Sequence, residues 1–189
     1  MENPLVVLVQ ITRAFDALGI DYVVVGSFAS SIHGEYRASG DIDIIADVGI
    51  RQVEPLVAAL KEEFYIDDLT IRRAIAHGRS FNVIHLKAIF KVDVFIPVTT
   101  LAKRQLSRRQ RHKIELTEEQ IIWIATAEDT ILAKLQWYRI GQEVSELQWR
   151  DVRGILGTQG SHLDFEYLEQ WAESLGLLDL LERAVEESQ

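Results

Sequence analysis

The chain has 189 residues, 48% of them hydrophobic and 26% charged, enough for one packed domain with an appendage and too apolar for a disordered segment. It contains no cysteine, which excludes disulfides and thiolate metal sites and suits a cytoplasmic protein, and no apolar run approaches a membrane span. Its net charge of −9 excludes a nonspecific nucleic-acid coater, so any such contact must come from a local basic patch.

The first helix is predicted over residues 4–18, with Pro4 in its first turn, Gly19 as its stop, and Leu5, Leu8, Val9, Thr12 and Phe15 at helical spacing. Residues 5–11 are apolar but lack a basic leader and a small-residue cleavage site, so no signal peptide is expected. A strand over 21–25 carries Val23-Val24-Val25 and stops at Gly26-Ser27. One or two helical turns follow over 28–33, with Gly34 as the stop. The second strand is predicted over 41–46, a helix over 50–64 through Val53, Leu56, Val57 and Leu60, and a short helix over 68–76 ending at Gly78. Two strands then cover 79–86 and 89–96.

Beyond Pro97 six of the twenty basic residues crowd into eleven positions: Lys103, Arg104, Arg108, Arg109, Arg111 and Lys113. They read as a solvated helix face or loop, the alternative being a surface for the phosphates of an RNA or for an acidic partner. A last extended segment is expected over 115–124. Helices are predicted over 128–140, 146–156, 165–175 and 177–187, separated by Gly141, Gly157 with Gly160, and Gly176. The tryptophans at 123, 137, 149 and 171 read as helix-packing residues, and the five histidines show no metal-ligand spacing. The expected fold class is α/β (α+β): a small mixed β-sheet flanked by helices in a core domain over 1–125, with a C-terminal helical subdomain over 126–189.

Asp41 and Asp43 lie at i and i+2 of a strand, so they share a face while Ile42 and Ile44 share the other. Their Cα atoms are about 6.6 Å apart, close enough for both carboxylates to address cations held about 4 Å from each other. Asp93 lies inside the apolar strand Phe90-Lys91-Val92-Asp93-Val94-Phe95, on the face of Lys91 and Phe95. Any one of these acids could be a solvated strand end. Three converging on one face would repel unless a cation neutralised them, and hard Mg²⁺ suits an all-carboxylate site completed by phosphate oxygens and water. The bare backbone at Gly26 admits a close anion, and Ser27 with the free N–H groups of the following helix can donate to it, although both residues also suit an ordinary strand-to-helix turn. Ser30 either reaches the same anion or sits on the helix surface.

A strand ending in Gly-Ser, then thirteen residues, then Asp-x-Asp resembles the nucleotidyltransferase superfamily of polymerase-β type. The run Arg37-x-Ser39-x-Asp41-Ile42-Asp43 resembles more narrowly the AbiEii-type branch, nucleotidyltransferase toxins of toxin–antitoxin and phage-defence systems. The resemblance implies that Asp41 and Asp43 bridge two Mg²⁺ ions, Mn²⁺ being an alternative. Asp93 would complete the ion at the acceptor hydroxyl, and the second ion would hold the triphosphate. It implies phosphate binding by Gly26, Ser27 and Ser30, a phosphate or acid-orienting contact from Arg37 with Ser39, and a nucleotide-facing Lys134 in Leu132-Ala133-Lys134-Leu135. Without the resemblance, Lys134 reads as a snorkelling surface lysine. Trp149-Arg150-Asp151-Val152 resembles the branch's Arg-Asp element, but Gly154 stands where the branch tends to carry another acid, and Asp151 equally reads as a structural ion-pair partner. The function implied is transfer of a nucleoside monophosphate from an NTP to a hydroxyl of an RNA or tRNA 3′ end or of a protein, with an antitoxin or operon partner. The alternative is an inactive NTP-binding or partner-binding module of the same fold.

Overall fold

Alternation of β-branched and acidic residues builds a sheet with one apolar and one partly polar face. The computed structural model describes residues 3–116 and 119–188, in two compact units: residues 1–25 with 39–125, and residues 26–38 with 126–189. Thr117 and Glu118 of the segment predicted over 115–124 lie outside the described residues.

In the first unit seven strands form one sheet: β1 (Tyr22–Val25), β2 (Asp41–Ala46), β3 (Phe64–Tyr65), β4 (Ser80–His85), β5 (Phe90–Phe95), β6 (Gln110–Glu115) and β7 (Glu119–Ile124), in the order β3-β4-β5-β2-β1-β7-β6. It is mixed: β2 with β5 and β1 with β7 are parallel, while β1–β2, β3–β4, β4–β5 and β6–β7 are antiparallel. The inner face presents Tyr22, Val24, Ile42, Ile44, Phe81, Val83, Val92 and Val94, all buried. Helices α1 (Pro4–Ala17), α3 (Val53–Leu60) and α4 (Asp68–His77) contribute Leu8, Ile11, Phe15, Leu56, Leu60 and Ile71 to the same core. The Phe15 and Tyr22 rings meet at 5.6 Å.

On the opposite face Val23, Val25 and Ile45 are covered by Ala102 and Leu106 of α5 (Thr100–Arg108) and by Phe95. Further along that face come Asp41 and Asp43. Two predicted stretches differ here. The basic stretch begins as the expected helix, α5, seated by the apolar Leu101, Ala102 and Leu106, but continues as the edge strand β6 in place of a loop. The helix predicted over 50–64 ends at Leu60 after a 3₁₀ turn over 50–52, and Phe64 joins β3, burying its ring edge-on against His85 at 5.0 Å.

The second unit is helical: α2 (Gly26–His33), α6 (Ala127–Ile140), α7 (Glu146–Gln159), α8 (Phe165–Leu175) and α9 (Leu178–Glu186). Helix α2 buries Ala29, Ser30 and His33 and packs with α6 and α7, which is why residues 26–38, read from sequence with the first domain, group with the helices. Buried Asp129 accepts a 2.5 Å hydrogen bond from the Tyr167 hydroxyl, tying α6 to α8. Helix packing does not account for all the tryptophans: Trp123 is on β7 beneath the Arg109 guanidinium, and Trp137 is exposed. No helix of the described residues is long and apolar enough to cross a membrane.

Candidate active site

The sheet unit gathers the acids. Parallel pairing of β2 with β5 sets Asp43 directly beside Asp93 and Asp41 directly beside Lys91, all on one face because pairing conserves side-chain direction. Ser39 donates to Asp41 Oδ1 at 3.2 Å. The Lys91 ammonium lies between the acids, 2.6 Å from Asp93 Oδ2 and 3.7 Å from Asp41 Oδ2. Its pKa is raised, first by the hydrogen bond to Asp93, against a smaller opposing effect of burial, then by the charges of Asp93, Asp41 and Asp43. Asp93 is the more enclosed acid, its side chain 15% exposed against 40% for Asp41. On β4, Asn82 lies beside Asp93 and Ile84 beside Lys91.

Among the described residues no three acidic or histidine side chains converge tightly enough to ligate one ion as they stand. Strand pairing sets Asp43 beside Asp93 with Asp41 on the same face, and the Lys91 ammonium contacts Asp93 and Asp41. The donor set nonetheless suits a hard divalent cation: all-oxygen, anionic, partly exposed, and already holding one positive charge between two of its members. Sequence reasoning placed Lys91 on this face and gave it no task. Its position two residues before Asp93 was the available signal.

The helical unit gathers the other candidates. Gly26 opens α2 at φ +62°, a left-handed turn that glycine adopts without steric cost and that lets helix follow strand directly. Ser27 Oγ accepts a 2.5 Å hydrogen bond from Arg37 Nη2. Arg37 also grips Asp151 with two bonds, Nε to Oδ1 at 3.0 Å and Nη2 to Oδ2 at 3.1 Å. Lys134 Nζ donates to Asp151 Oδ2 at 2.8 Å, and the Ser30 hydroxyl lies 3.2 Å from the same oxygen. The Ser30 hydroxyl also faces the carbonyls of Gly26 and Ser27 at 3.2 and 3.1 Å, so its single proton has three acceptors.

Asp151 is thus the hub that joins Ser30, Arg37 and Lys134, with Ser27 one bond further out. Burial alone would raise its pKa; the hydrogen bonds from Arg37 and Lys134, and their charges, outweigh burial and hold the carboxyl below its ordinary value. Lys134 is no snorkelling surface lysine: its side chain is 5% exposed, and the buried ammonium is compensated by the equally buried carboxylate. Two cations and one anion leave the cluster with a net positive charge at the start of α2.

Gly154 lies beside Glu35 with room for a Cβ, whereas Gly34 is the glycine that packing requires. Where the turn after α2 meets α7, a Cβ on Gly34 would lie 2.8 Å from the Ile155 nitrogen and 2.9 Å from the Gly154 carbonyl carbon. Glu35 follows, and an acid at position 154 would be set against it, since a Cβ there lies 3.5 Å from Glu35 Cγ. A separate open cleft of about 880 Å³ in the same unit is lined by Glu35, Tyr138, Leu147, Trp149 and Arg153 among others, and none of the candidate residues lines it.

No protein-family model matches the chain, and no curated protein matches it by sequence. Solved structures do. An antigenic nucleotidyltransferase-like protein from Paracoccidioides brasiliensis aligns over 95% of this chain and 91% of its own, with a TM-score of 0.51 at 15% identity. The antibiotic-resistance factor ANT(2″)-Ia, in its solution structure, aligns over 97% and 99%, with a TM-score of 0.52 at 14% identity. Its crystal structure in complex with adenylyl-2″-tobramycin aligns over 90% and 97%, with a TM-score of 0.54 at 14% identity. At such identities the likeness establishes the fold: mixed α/β, as in nucleotidyltransferase-like proteins.

Proposed function

We propose, for a chain with the nucleotidyltransferase-like fold, that it transfers a nucleoside monophosphate from an NTP to a hydroxyl acceptor in a divalent-metal-dependent reaction. The observation that carries this reading is the register of β2 with β5, which puts Asp43 beside Asp93 and Asp41 on the same face with a cation already lodged among the acids. Asp41, Asp43 and Asp93 are the residues that would hold Mg²⁺ or Mn²⁺. When bound, such ions neutralise the triphosphate and lower the pKa of the attacking hydroxyl.

The helical unit, taken by itself, offers groups suited to an anion: Ser27 and the first N–H groups of α2, whose helix dipole favours phosphate oxygens. Arg37 and Lys134 supply positive charge, and Asp151 holds both in place. In the reaction the acceptor oxygen bonds to the α-phosphorus and the bond from that phosphorus to the β-bridging oxygen breaks. Pyrophosphate leaves with the electron pair, and the hydroxyl proton is released.

The acceptor is an RNA 3′ end, tRNA above all, or a protein hydroxyl, and a toxin role with an operon partner follows the AbiEii-type resemblance of the Arg37-to-Asp43 run. The ANT(2″)-Ia crystal complex, which holds adenylyl-2″-tobramycin, adds a small-molecule hydroxyl to the acceptors worth testing. The test supplies α-labelled NTPs, Mg²⁺ and these acceptors. Asp41→Asn and Asp93→Asn are each expected to cut transfer on the order of 100-fold or more. Undiminished transfer in either variant removes the assigned roles. Metal-dependent NTP binding with no transfer to any acceptor points instead to a binding module.

A further inference from the structure

The face that carries the three acids also carries a lysine, and the sheet fixes it there. Lys91 is the Cα partner of Asp41 and stands two residues before Asp93, so its ammonium cannot leave the face without a rotamer change. Its flank on β4 is Ile84, which offers no carboxylate as another partner. Its side chain is 43% exposed, so rotation toward solvent is open to it. With Lys91 in place the acids have a counter-ion, as shown by its contacts of 2.6 Å to Asp93 and 3.7 Å to Asp41.

We propose that Lys91 is a built-in competitor for the divalent cation, displaced from Asp93 and Asp41 when metal loads, so that metal binds well only together with a nucleotide. The inference rests on the reading of Asp41, Asp43 and Asp93 as the metal-holding acids. A divalent ion and an ammonium drawn to the same two carboxylates repel each other in a partly desolvated site, so each weakens the hold of the other. A metal ion arriving alone must break the Lys91–Asp93 bond and leave the ammonium without an anion. A metal ion arriving with a triphosphate brings anionic oxygens with which the released ammonium can pair. Metal and nucleotide therefore bind with positive coupling, and by linkage each raises the affinity of the other by the same factor.

The test measures Mn²⁺ binding to the full chain by calorimetry and by the spin-resonance signal of free Mn²⁺, with and without non-hydrolysable analogues of the four common NTPs. Without nucleotide, Lys91→Met and Lys91→Gln are expected to bind Mn²⁺ about ten-fold more tightly than the natural chain, while Lys91→Arg, which keeps the charge, stays weak. With the analogue that binds, the gap between Lys91→Met and the natural chain narrows. Equal or weaker Mn²⁺ binding by both neutral variants overturns the proposal, provided Asp93→Asn still reduces binding, which leaves the metal-holding acids standing. Mn²⁺ binding that Asp41→Asn and Asp93→Asn leave untouched overturns that reading and the proposal with it.

Discussion

Asp151 shows how one residue organises a cluster that the sequence presents as scattered. Ser30, Arg37 and Lys134 reach it from three separate stretches, and every one of them donates to a carboxylate with almost no access to water. Removing the carboxylate leaves two cations enclosed without their anion, so Asp151→Ala is expected to cost about 3–5 kcal/mol, read from urea unfolding. The same bonds give stability a pH dependence. A carboxyl whose pKa is lower folded than unfolded contributes fully above its unfolded pKa and loses that contribution as pH falls through the folded value. The natural chain is therefore expected to lose more stability than Asp151→Asn as pH drops below about 4. Parallel pH profiles for the two would contradict the ion-pair account. Lys91 teaches the complementary lesson: a cation among acids reports where positive charge is favourable.

At the scale of elements, the distances that matter are set by backbone. The parallel β2–β5 pair puts two acids from segments fifty residues apart side by side, with no contribution from loops. In the helical unit α2 and α7 approach until only glycine fits at position 34. The atoms a methyl group would meet are backbone atoms, which cannot swing aside, so Gly34→Ala is expected to destabilise by about 1–3 kcal/mol in thermal melting. An unchanged melting temperature would mean that the turn after α2 relaxes freely. Helix α5 shows how a strongly charged helix is seated on a sheet. Its basic residues dominate the composition, but Ala102 and Leu106 suffice to seat it on Val23, Val25 and Ile45.

For the whole molecule, what the sequence made legible follows its periodicities. Period-2 alternation marked β2, β4 and β5, and helical spacing with glycine stops marked α1 and α6 to α9. The acids were legible because a strand fixes side-chain direction without knowledge of the rest of the fold. Strand β3 was not, since two residues carry no period, and β6 was hidden because an edge strand that faces water can be mostly charged. The grouping of residues 26–38 with the helices depends on contacts across more than a hundred residues, for which no local pattern exists. Asp151 was legible as an ion-pair partner, but which cations it joins was not, because they come from distant stretches.

The central claim is that Asp41, Asp43 and Asp93 hold divalent metal for nucleotidyl transfer. Crystals soaked with Mn²⁺ and a non-hydrolysable NTP test it most directly through the anomalous signal of manganese. The account predicts manganese peaks at carboxylate-ligand distance from all three acids, with the Lys91 ammonium withdrawn from Asp93. Manganese bound elsewhere, with Lys91 still on Asp93 while nucleotide is present, would contradict it.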